Sequence, residues 1–293
     1  MTITDARRSS RHQTLTAWPL LAPGLLIVCV LAVLPLLLVA RNSVAEADRY
    51  GQVRGGFTFE NFTRLADPVY AKTLVYSLAM AALNTIFCLI VGYIVAYYTV
   101  SQPAHRQPLI LLLIIVPFWT DFLVRTFAWM TLLGSDGPVL GLLRIFGDAG
   151  DPLVPSQTAV MLALLYAFLP TAIFPIYASM RGIDPSLREA AADLGCGWWR
   201  THFRVIAPLS SAGIVAAALL IFVPTLGVFV IPVLLGGGKS LLVGNLIVTL
   251  YTEFRNQPMG AALSMVVLIL MIASIGIAGL ILKFRNRSAR WTA

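Results

Sequence analysis

Six stretches of this chain, residues 18–40, 73–100, 108–133, 158–180, 210–235 and 259–282, are long and apolar, and five of them contain no Asp, Glu, Lys or Arg. A helix needs about 20 mostly apolar residues to cross a bilayer. Core helices of soluble proteins seldom run that far without a charge, so the pattern predicts an all-α integral membrane protein with six transmembrane helices. Only 12% of the residues are charged, too few to cover a soluble surface of this size. The first run follows Arg7, Arg8 and Arg11, as a signal peptide would. At 23 residues it exceeds the 7–15 of a signal h-region, which makes it an uncleaved anchor.

The charges give the orientation. Residues 1–17, 101–107, 181–209 and 283–293 together carry twelve cations and four anions. The segments on the other side carry eight of each, so the whole net charge of +8 lies on one face. Cationic loops stay in the cytoplasm, which places both termini there. The organisation expected is a cytoplasmic tail at 1–17, one six-span domain at 18–283 and a second tail at 284–293. The basic balance is then a topology signal with attraction to anionic lipid, and nucleic acid is not an expected partner. Residues 1–15 read as disordered.

Chemistry is sparse. Cys29, Cys88 and Cys196 form no CxxC or Cys/His cluster, and His12, His105 and His202 have no partner at metal-ligand spacing. No metal site and no catalytic residue is expected. Gly236-Gly237-Gly238-Lys239-Ser240 imitates the end of a phosphate-binding loop, but Val233 stands where the motif needs glycine. It reads as an outer turn. In the outer segment 41–72, Phe59, Phe62 and Leu65 recur every three residues. They suit a short amphipathic helix, lying in the interface or packed on the bundle.

Two spans contain irregularities. Asp121 and Arg125, four apart in the third, share a helix face at a depth where ionisable groups are costly. They read either as an internal ion pair locking that helix against a partner subunit, or as part of a solute path together with Trp119. Pro117 adds a bend. The fifth span carries Pro224, Gly227 and Pro232 within nine residues, which breaks the helix. Broken backbone at membrane depth either lines a cavity or serves packing. Phe229, at the break, is the candidate for the translocation path.

The cytoplasmic loop 181–209 is the most informative segment. Asp184 and Pro185 suit a helix start, Gly195 suits a left-handed stop, and a second short helix is expected from Trp198 to Ile206. The Ala190-Ala191-Ala192 face is small enough for close approach by another protein. This loop resembles the EAA loop of ABC-importer permeases, E-A-A-x3-G-x9-I-x-L-P. Glu189, Ala190, Ala191, Gly195 and Pro208 match it, while Val205 and Ala207 replace the Ile and Leu. The segments FTFENFTRLADPVY (57–70), VPFWTDFLVR (116–125), LGVFVIPVLLGG (226–237) and LVGNLI (242–247) are similar to the first permease subunit of spermidine/putrescine importers.

The resemblance implies a bacterial inner-membrane permease that moves polyamines by alternating access. It further implies a second permease subunit, two copies of a cytoplasmic ATPase that binds ATP and Mg, and a periplasmic substrate-binding protein. The EAA helix between spans four and five would dock on the ATPase, so this chain would hold no cofactor of its own. The same architecture serves opines, phosphonates, ferric ion and amino-acid-like solutes. An ion-coupled carrier would bury unpaired acids in several spans, and the spans hold one acid.

Overall fold

The computed structural model describes residues 23–24, 26–145, 152–238 and 241–289. The tail 1–17 and the final residues 290–293 lie outside them. The described chain is mostly helical, with four helices long and apolar enough to cross a membrane and up to six if two bent pairs each count as one span. The four are α1 (Leu26–Ser43), α3 (Pro68–Val100), α7 (Gln157–Arg181) and α14 (Gln257–Ala289).

Burial ranks these helices. In α7, 44% of the most apolar window is buried; in α1 the figure is 6%. The centre of the fold is α7, packed against α3, α11 (Ser211–Gly227) and α12 (Val230–Gly236). Leu164, Ile173, Ile176, Ile221, Ile231 and Leu235 are fully buried there. Leu31, Leu37, Ile272 and Ile277 lie exposed on α1 and α14. An apolar surface this extensive belongs against lipid or other protein.

Small residues permit close helix crossings. A methyl group on Gly213 would meet the Pro175 carbonyl oxygen and sit 2.5 Å from Ser179 Cβ, so α11 lies directly on α7. Buried polar groups add specific ties. Asn84 Nδ2 donates to Thr225 Oγ1 at 3.1 Å between α3 and α11, and Val243 N donates to Ser77 Oγ at 2.7 Å.

The predicted third span is two helices. α4 (Gln107–Ile115) passes through a 3-10 turn at Val116–Trp119, and α5 (Phe122–Leu133) departs at 87°. Pro117 and the extended Thr120 account for the turn. After α5 come α6 (Pro138–Ile145) and the start of α7. In the predicted fifth span, α11 ends at Gly227 and α12 begins at Val230.

Loop 41–72 contains a two-residue hairpin absent from the sequence reading, with Glu46 opposite Arg54 and Ala47 opposite Val53. Asp48 Oδ1 closes its turn by accepting from Tyr50 N and Gln52 N, both at 2.8 Å. The predicted interfacial helix is one turn, α2 (Glu60–Arg64), packed against α14. Asn61 Nδ2 pins it to the carbonyls of Ser43 and Ala45 at 3.1 and 2.9 Å. Gly237 and Gly238 have positive φ and form the expected turn, preceded by a helix rather than a strand. The segment beyond it folds as α13 (Val243–Thr252), a short apolar helix against α14 and α12.

Candidate functional site

The first candidate site is the loop between α7 and α11. α8 (Ser186–Asp193) opens with Asp184 Oδ1 accepting from Ser186 N at 2.9 Å. That hydrogen bond, from a backbone N–H, holds the Asp184 carboxyl below the usual carboxylate range. α8 ends as its glycine predicts. Gly195 has φ +73°, Gly195 N donates to Ala192 O and Cys196 N donates to Ala191 O, both at 2.9 Å. These two bonds make a Schellman stop. Glu189, Ala190 and Ala192 are exposed, and Ala191 is buried.

The second arm anchors the loop. α9 (Trp198–Thr201) continues into a π-helical turn at His202–Ile206 and then α10 (Ala207–Leu209), which contains Pro208. The expected helix from Trp198 to Ile206 is therefore present with its second half underwound. Ile206 enters the core beside Ala96, Ile176 and Ala217. His202 is buried, its Nδ1 is 3.1 Å from Tyr93 Oη, and its ring meets those of Tyr97 at 4.3 Å and Trp198 at 4.1 Å. Burial, then the nearby charge of Arg188, holds the His202 pKa below its ordinary value. The loop has an exposed small-residue face on α8 and a heel fixed in the bundle. The sequence reading missed His202. Its only sequence signal is an isolated histidine among aromatics, because the tyrosines that enclose it come from α3.

The second candidate site is a cleft of about 590 Å³ between α5, α12 and α13. Phe229 lines it at the break between α11 and α12, 43% exposed, opposite Leu123 and Phe127. Asn245 Nδ2 donates to the Phe229 carbonyl at 3.3 Å and holds the break open from α13. Asp121 and Trp119 do not line this cleft, and Trp119 is 80% exposed.

The expected Asp121–Arg125 ion pair is corrected by the structure. Asp121 caps α5, its Oδ1 accepting from Leu123 N at 2.8 Å and Val124 N at 3.4 Å. The only ion pair among the described residues is Arg64–Glu60, at 2.7 Å. Arg125 instead lies over the Phe118 ring, 4.8 Å from its centroid, with Nε and Nη1 buried and unpartnered among the described residues. The break before α5 explains the difference. A carboxylate at a helix start satisfies free N–H groups, which a mid-helix carboxylate cannot do. Among the described residues, no group of three or more His, Cys, Asp or Glu could hold a metal ion.

Residues 89–286 match the family described as binding-protein-dependent transport system inner membrane component. The chain is 38% identical over 240 residues to the spermidine/putrescine transport system permease protein PotB of Escherichia coli, covering 81% of this chain and 87% of that one. It is 37% identical to the Haemophilus influenzae protein of the same name, covering 87% and 90%. Among solved structures, a chain of a bacterial alginate ABC transporter in complex with an alginate-bound periplasmic protein superposes with a TM-score of 0.74 at 15% identity, covering 93% of this chain and 94% of that one. That likeness bears on the fold alone.

Proposed function

This chain belongs to the family of binding-protein-dependent transport system inner membrane components, and on that premise we propose that it is a permease subunit of an ATP-driven polyamine importer. The observation that carries the substrate class is the 38% identity, over most of both chains, to a spermidine/putrescine permease.

The full assembly has this chain, a second permease subunit, two copies of a cytoplasmic ATPase and a periplasmic substrate-binding protein. ATP and Mg are held by the ATPase. The chain crosses six times, with both termini and the +8 face in the cytoplasm: the bent α4–α5 pair forms one crossing, and α11, which meets the α9–α10 arm at a 73° bend, forms another together with α12. The exposed α8 face, Glu189 to Gly195, docks on the ATPase. Pro208 lies where α10 leads into α11. When the ATPases close, α8 moves with them. The heel at Ile206 and His202 passes that motion to α3 and α7, and the bundle turns from one access state to the other. Phe229 lies on the path that opens. Purifying the complex through this chain and identifying the co-eluting binding protein with its ligand tests the reading. Recovery of a polyamine-loaded binding protein is expected; a binding protein carrying another solute overturns the substrate class.

A further inference from the structure

Asn245 is half used. Its Nδ2 donates to the Phe229 carbonyl, which fixes the orientation of the amide, and its Oδ1 is buried with no partner among the described residues. A buried acceptor without a donor is an unfavourable arrangement that an entering donor relieves. Asn245 also lines the 590 Å³ cleft beside Phe229. Val248 and Thr249 follow it along α13 at helical spacing, and Glu253, the residue just past the end of α13, lines the same wall. Glu253 is exposed, forms no ion pair with another described residue and stands on the cleft wall eight residues from Asn245. Eight residues of helix span about 12 Å, which an extended triamine can bridge. Arg255 does not line the cleft.

We propose that this cleft is a cation subsite in which Asn245 Oδ1 accepts a hydrogen bond from an ammonium group, while Glu253 gathers the cation at the mouth. The proposal rests on the polyamine reading above and adds the residues that would act on the solute. A neutral amide oxygen suits a transporter, because it receives an ammonium without the tight hold of a buried carboxylate. The Phe229 and Phe127 rings supply faces that attract cations weakly. Oδ1 is covered in this conformation, so it becomes available as the walls of the cleft part.

The test uses the complete importer in proteoliposomes with its binding protein, measuring initial uptake of radiolabelled spermidine and putrescine. Asn245→Leu keeps the side-chain size and removes the acceptor. It is scored only on complex that still co-purifies with the ATPase, and uptake should fall at least tenfold. Glu253→Gln alters an exposed group and should fold whether or not Asn245→Leu does. Its uptake should fall several-fold at low salt and converge on wild type at about 1 M salt, where screening is within about 3 Å. Glu60→Gln, on an exposed acid outside the cleft, should leave uptake unchanged. Wild-type uptake with both cleft variants within twofold of it overturns the subsite alone. A wild-type complex that imports another solute and no polyamine overturns the substrate reading and the subsite with it.

Discussion

Replacing Gly195 separates backbone strain from every other effect. Its φ of +73° lies in the left-handed region, and no atom lies within 4 Å of where a Cβ would stand. A Cβ there meets no obstacle within this chain, so a loss inside the loop comes from the backbone, and Asn at the same position controls for a side chain facing the ATPase. Holding a non-glycine residue in that region costs about 1–3 kcal/mol, most for a β-branched one. If the loop relaxes instead, the bonds from Gly195 N to Ala192 O and from Cys196 N to Ala191 O are lost, and Leu194 to Trp198 change direction. A difference of 1–3 kcal/mol is a roughly 5- to 150-fold shift in the population of the docking-competent loop. The bundle is untouched, because Ile206 and His202 lie beyond the stop. Gly195→Val should therefore insert and co-purify with the second permease, while binding-protein-stimulated ATP hydrolysis and uptake fall together by a factor in that range. Gly195→Asn should keep most activity, since Asn tolerates the left-handed region. The assay is stimulated ATPase and uptake in proteoliposomes. Normal uptake by Gly195→Val, or equal loss in Val and Asn, would refute the reasoning.

Three further outcomes are expected. Asp121→Asn should be nearly neutral and Asp121→Ala should cost about 1 kcal/mol of thermal stability, because Asn caps a helix as well as Asp; equal damage would restore a role for the charge. Gly213→Ala should destabilise the complex by about 1–3 kcal/mol by forcing α11 off α7, read as a lower melting temperature in detergent. His202 has a lowered pKa, so its contribution is complete above its ordinary value of 6.5 and declines as pH falls below it. Proteolysis of loop 181–209 should therefore accelerate on acidification, and His202→Phe should remove that pH dependence.

Much of the architecture was legible in the sequence, because burial in lipid forces long uncharged runs and each run is visible by itself. The α8 stop was legible for a similar reason: Gly195 acts through its own backbone, and its N–H and that of Cys196 bond to carbonyls three and five residues earlier. What failed was long-range or competitive. Asp121 and Arg125 have ion-pair spacing, but Pro117 and Thr120 end the preceding helix, and a cap then takes the carboxylate. The enclosure of His202 depends on Tyr93 and Tyr97, about a hundred residues away in the chain. Asn245 was visible only as a polar residue in an apolar stretch; its partner Phe229 lies across the Gly237–Gly238 turn.

The central claim is that this chain forms the membrane passage of a polyamine importer. Its most direct test is uptake of radiolabelled spermidine and putrescine by proteoliposomes holding this chain with its second permease, ATPase and binding protein. The account predicts accumulation that requires both ATP and the binding protein and is lost when this chain is omitted. Accumulation driven by an ion gradient without ATP, or ATP-driven import of another solute with no polyamine uptake, would contradict it.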